Sequence, residues 1–269
     1  MIQLPEVSLP ETATRQLQTL QREIDEIADY ADRVSKAKES FARRNRASDP
    51  TFRDVRTTLA EMCAGAQRCG YCEDSAADEV EHIRPKDLYP DATFVWENYL
   101  YACGPCNGPK NNRFGVFSAR TGEFVDVTRK RGALVIPPEP GEIVLIDPRS
   151  EDPLQFMDLD LIDTFYFLPT GQAGSKEYER ADYTIRVLRL NSRDLLPAAR
   201  REAYKSYRAR LLEYIRMQER DALETKRNNL IAALKRMGHP SVWQQMKRQG
   251  HLVEELRTLF EQAPEALGW

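Results

Sequence analysis

Two short knuckles, Cys69-Gly-Tyr-Cys72 and Cys103-Gly-Pro-Cys106, stand 30 residues apart in the chain. Two thiolates spaced this way can grip one ion, and two such pairs complete a tetrahedral set. In a reducing compartment four thiolates favour zinc, whose binding supplies folding free energy to a stretch too loop-rich to build a core of its own. Around the knuckles lie Glu81-His82, Asn98, Asn107 and Lys110. A neutral imidazole at His82 can take a proton from water and make a nucleophile. The Glu81 carboxylate and the Asn107 amide oxygen are hard donors able to hold Mg2+ or Mn2+ beside a phosphodiester. Lys110 offers a point charge for phosphate, and Asn98 is placed to pin the intervening loop by side-chain-to-backbone hydrogen bonds. The chemistry these residues suggest is metal-assisted hydrolysis with His82 as general base.

Competing readings attach to the same residues. Four thiolates also suit iron, and the Cys-Gly knuckles resemble those of rubredoxin, an electron carrier. A thioredoxin-like redox pair is disfavoured because neither C-x2-C is expected to open a helix after a strand. A non-catalytic zinc module that binds nucleic acid or another protein is the main alternative to an enzyme. Cys63 reads as a small apolar helix residue; His239 and His251 lack clustered partners and read as structural. Trp96, Tyr99 and Tyr101 are expected in the core of the zinc module rather than stacked on bases. Arg149, in a turn, is a possible phosphate contact.

From Cys69 to about Asn112 the chain resembles the HNH endonucleases, whose ββα-metal site is a hairpin followed by a helix around one ion. By that resemblance His82 is the general base, Glu81 and Asn107 are the catalytic metal ligands, and Asn98 is the loop-ordering middle asparagine. The third motif position is Asn, an HNN version that favours Mg2+ or Mn2+, and Glu81 stands where Asp is more frequent. The strings CGYCE, EHIRPK, LIDPRSEDP and ADYTIRVLRLNSRDLLPAARREA are further similar to HNH proteins found beside ATPases in retron and Septu-type anti-phage systems. That similarity implies a DNA-cleaving subunit working with an ATPase partner. No G-x4-GK[ST] loop is present, so nucleotide control would come from that partner.

The elements that must position these residues follow from periodicity. Residues 11–46 carry Leu17, Leu20, Ile24, Ile27 and Ala31 at helical spacing and predict one amphipathic helix. Ser48-Asp49-Pro50 breaks it, and a second helix runs to about Ala64. Short β-favouring runs occur at 116–117, 124–127, 143–146 and 165–168. Helix returns from Lys176, with 195–236 nearly free of breakers until Gly238-His239-Pro240. The expected fold class is α+β and predominantly helical. It divides into an N-terminal helical region (1–66), a zinc-stapled ββα-metal nuclease module (67–115), a small β elaboration (116–175) and a C-terminal basic helical region (176–269).

Of the 269 residues, 41% are hydrophobic and 30% charged, which suits a folded globular chain rather than a disordered one. No apolar run is long enough for a bilayer span, and the N-terminus lacks a basic leader before an apolar core, so a cytoplasmic location is expected. Net charge is -3 but unevenly divided. Residues 180–269 hold 18 Lys and Arg against 11 Asp and Glu. The helix face from Arg200 to Arg210 could line a duplex, although a solvated or paired face is the commoner cause of such a run.

Overall fold

The computed structural model describes residues 1–269. Its N-terminal quarter is three helices, α1 (Glu11–Asp25), α2 (Tyr30–Arg44) and α3 (Pro50–Glu61). The single helix expected over 11–46 is therefore two. The break carries no Gly or Pro; Asp29 makes it, its carboxylate accepting from the Asp32 backbone N–H to open α2, while the Arg33 guanidinium donates to the Ile27 carbonyl at 2.9 and 3.0 Å. Asp49 caps α3 in the same way, accepting from the Phe52 N–H at 3.2 Å, with Pro50 in the first turn. The apolar stripes of these helices (Leu17, Leu20, Ile24, Phe41, Phe52, Val55, Leu59) close over Phe94, Val80, Tyr99 and Tyr101 to form a small core.

An antiparallel hairpin comes next, β1 (Glu79–His82) with β2 (Tyr99–Ala102), followed by the seven-residue helix α4 (Gly104–Lys110). All four residues of β2 are buried. Successive strand side chains point to opposite faces, so Tyr99 and Tyr101 enter the small core while Leu100 and Ala102 enter a larger one that contains the four knuckle cysteines. The hairpin is thus the wall between two cores.

The larger core continues through a three-stranded antiparallel sheet in the order β4-β3-β5, from β3 (Gly115–Ser118), β4 (Phe124–Asp126) and β5 (Gly141–Ile143). The run 143–146 joins the sheet only at its start. Val144, Leu145 and Ile146 are fully buried, and the Ile146 N–H leaves the ladder to donate to Thr184 Oγ1 at 2.9 Å. A further hairpin pairs β6 (Met157–Leu159), which the sequence did not reveal, with β7 (Phe167–Pro169). β7 starts later than the 165–168 run because Phe165 adopts a left-handed φ of 57°.

Five helices complete the chain: α5 (Lys176–Val187), α6 (Leu195–Glu219), α7 (Glu224–Lys235), α8 (Pro240–Arg248) and α9 (Glu254–Gln262). The expected uninterrupted helix over 195–236 is broken where Asp221 turns through φ 49°. The basic face of α6 is largely satisfied from within. Arg200 is fully buried and donates to the Phe165 and Leu190 carbonyls at 2.9 and 2.8 Å, Arg201 donates to the Asp163 carbonyl, and Arg208 pairs with Glu255 at 2.8 Å. No helix is long and apolar enough to cross a membrane.

Candidate functional site

The four knuckle sulfurs gather within 4.8 Å of one another, and all four cysteines are buried. A tetrahedral zinc with bonds of about 2.3 Å sets its sulfurs about 3.8 Å apart, and Cys72 Sγ lies 3.8 Å from Cys103 Sγ. The donor set, its convergence and its burial fit a closed structural zinc site. Gly70 lets the first knuckle approach β2: its N–H donates to the Tyr101 carbonyl at 3.0 Å, and a Cβ there would lie 3.1 Å from the Leu100 side chain. Arg193 Nη2 donates to Cys106 Sγ at 3.2 Å, placing a cation beside the sulfur cluster. One expectation is corrected here. Cys103 follows β2 directly and opens α4, so the second pair does begin a helix after a strand, but its sulfurs converge with those of Cys69 and Cys72. Cys63 stands apart, donating to the Leu59 carbonyl at 3.3 Å, with burial pushing its thiol up to about 11.

A pocket of about 310 Å³ runs beside β1. Because the sheet has only two strands, β1 has a free edge, and five consecutive residues from Asp78 to His82 line the pocket together with Asn107. Glu81 and His82 sit on opposite faces of the strand yet both reach this rim. His82 is almost fully buried against the edges of Phe41 and Tyr99, with ring centroids 4.4 and 5.2 Å away. Its Nε2 lies 2.9 Å from the Thr93 carbonyl oxygen, which can only accept, so Nε2 carries the proton and Nδ1 keeps the lone pair. Tyr99 Oη donates to the same carbonyl at 2.8 Å. Burial drives the His82 imidazole well below its ordinary value, with Lys86 and Lys110 adding to the effect, so the ring is neutral.

Glu81 is buried, which raises its carboxyl, and the Lys110 ammonium pairs with it and pulls back the other way. Lys110 is fully buried and also donates to the His82 carbonyl at 2.7 Å. The structure therefore places Lys110 behind the strand, holding Glu81, rather than at a surface where phosphate would meet it. Asn107 is nearer solvent; its Nδ2 donates to Glu79 Oε2 at 2.6 Å, leaving Oδ1 as a free acceptor. Asn98 accepts from the Arg84 N–H at 2.7 Å and donates to the Arg84 and Ala92 carbonyls at 3.0 and 2.8 Å, tying both ends of the 83–97 loop. Arg149 is engaged with the Trp96 and Tyr99 carbonyls and stacks over Trp96.

Among the pocket residues to which the sequence reading gave no role are Glu79 and Lys86. Glu79 was legible from strand periodicity, two residues before Glu81 on the same face. Lys86 lies in the string EHIRPK and lines the pocket with its ammonium 4.8 Å from the Phe41 ring centroid; burial lowers it, and Glu81 and Asp87 oppose.

Fold and site together define an α+β protein in which a buried four-cysteine cluster backs a pocket of one neutral imidazole and several oxygen donors. The chain is similar to the Septu protein PtuB of Bacillus thuringiensis, 41% identical over 61 residues that make up 21% of this chain and 23% of that protein. The match thus spans under a quarter of the curated relative's length. No protein-family model matches the chain.

Proposed function

We propose that the chain is an HNH-type endonuclease that hydrolyses DNA phosphodiesters, and that it serves as the nuclease effector of an ATPase-associated anti-phage system. The observation that carries the chemistry is the His82 tautomer. With Nε2 committed to the Thr93 carbonyl, Nδ1 is the nitrogen left to take a proton, in a pocket that Glu81 and Asn107 also line. His82 removes a proton from water, the water oxygen bonds to phosphorus, and the bond from phosphorus to the departing oxygen breaks. Glu81 and Asn107 would hold one Mg2+ or Mn2+ ion, whose charge would offset that developing on the phosphate oxygens. Asn98 keeps the Thr93-bearing loop in place, and Cys69, Cys72, Cys103 and Cys106 would hold a zinc ion that ties the hairpin and α4 to each other. The defence role and the ATPase partner rest on the similarity to the Septu protein.

A cleavage assay on supercoiled, linear duplex and single-stranded DNA, with Mg2+ or Mn2+ and with or without a candidate ATPase partner, tests the reading. His82→Ala should lower the rate by about 10²- to 10⁴-fold at unchanged zinc content. Equal cleavage by the variant would remove the mechanism. The second reading, a non-catalytic zinc module, draws on the Lys110–Glu81 pair, which occupies the carboxylate meant for the ion; it expects no metal-dependent cleavage by the parent chain.

A further inference from the structure

A second cavity, of about 580 Å³, opens on the far side of α4, where the loop leaving β4 crosses towards α2. Five cations line it, Lys38, Arg113, Arg129, Lys130 and Arg131, against one carboxylate, Asp87. That carboxylate is already engaged: Lys38 pairs with it at 2.8 Å and Asn112 Nδ2 donates to it. Arg129 holds the loop in place, donating to the Asp87 and Ile136 carbonyls and lying over the Tyr30 ring. Arg113, Lys130 and Arg131 are different. They are exposed, and none takes part in an ion pair or a side-chain hydrogen bond. Three unopposed cations around one hollow repel each other, and an anion spanning the hollow relieves that repulsion.

This hollow and the His82 pocket are neighbours along one path. Asn111 and Asn112 line both. At that junction Asn111 ends α4 with φ 39° and ψ -118°, so the backbone turns sharply where the two hollows meet. A polymer with regularly spaced negative charges fits such a trough better than a folded acidic surface, because the path is concave and bends around a single helix terminus.

We propose that the trough formed by Arg113, Lys130 and Arg131, flanked by Lys38, carries the phosphodiester backbone of the nucleic acid substrate as it leaves the His82 pocket. The proposal rests on the hydrolase reading for its direction, but the binding surface can be tested without catalysis. Contacts of this kind give affinity and register without base selectivity.

The experiment uses the full-length, zinc-loaded His82→Ala chain and fluorescence anisotropy with labelled duplex DNA, single-stranded DNA and RNA across a salt series. Adding Lys130→Glu and Arg131→Glu should weaken binding of the favoured strand type at least about tenfold near 0.1 M salt. The slope of log affinity against log salt should fall by about 1.4 to 1.8, since each of the two lost phosphate contacts removes about 0.7 to 0.9. The matched reversal Lys205→Glu with Arg208→Glu on α6 should change neither by more than about twofold, within the reach of distant charges at such salt. Unchanged affinity in the loop variant, an equal loss in the α6 variant, or no binding to any of the three nucleic acids would overturn the proposal. Groove-dependent binding by a parent chain that never cleaves would sink the hydrolase reading alone. Normal cleavage and binding after the loop reversal would sink the groove alone.

Discussion

Lys110 carries its charge where water does not reach, and Glu81 is what makes that tolerable. Removing one partner of a buried ion pair leaves the other uncompensated, a loss of about 3 to 5 kcal/mol, whereas removing both is far milder. Lys110→Met should therefore lower the urea-unfolding free energy by about that amount, and adding Glu81→Gln should recover at least half of it. An additive double variant would show that the two groups do not interact. The burial of Lys110 was open to a closer reading of the chain. It follows the knuckle residue Cys106 by four, so on a helix the two share a face, and that face is buried. Its type suggested a phosphate contact; its spacing pointed inward. The tautomer of His82 was not legible, because the Thr93 carbonyl that sets it lies 11 residues away across an irregular loop.

At the scale of elements, the loop between β1 and β2 shows what asparagine contributes. Asn98 bonds to Arg84 and Ala92, and two helices reach in as well: Tyr30 Oη donates to the Leu88 carbonyl at 2.8 Å, and Gln21 bridges the Pro90 carbonyl and the Phe94 N–H. Asn98→Ala leaves buried backbone groups without partners and should cost about 1 to 3 kcal/mol. Hydrogen exchange should quicken across residues 84–97 while α5 to α9 keep their protection; uniform acceleration would mean the loop does not open on its own. The helical stretches as far as Lys235 and the strands at 116–117 and 124–127 were legible because periodicity and Pro or Gly punctuation agree there, whereas α8 and α9 are too short to show a stripe. The breaks at 26–29 and 220–223 were not, since a capping Asp and a left-handed Asp leave no Gly or Pro signature. β6 was invisible for a different reason: three residues pairing with another three offer too short a pattern to register.

For the whole molecule, the sulfur cluster belongs to the larger core while the hairpin beside it also walls the smaller one. Stripping the ion should therefore loosen both. A chelator is expected to lower the melting midpoint by more than about 10 °C, because structural zinc binding free energy is folding free energy. Near-UV circular dichroism should lose the aromatic signal of the Phe41, Phe52, Phe94 and Tyr99 cluster, which holds no cysteine. An unchanged melting midpoint in the stripped protein would show that the sulfur cluster holds neither core together.

β2 has one further implication. With a neighbour packed on each side, none of its four positions is free to drift, and a one-residue frameshift in pairing would push both tyrosines into the sulfur side and Leu100 out of it. Length variation among kindred sequences should accordingly avoid the 83–97 loop, whose Leu88, Pro90, Ala92, Thr93 and Phe94 are each held by a side chain, and collect in the exposed turn from Arg120 to Glu123. Tyr-Leu-Tyr-Ala itself should admit only swaps of matching bulk.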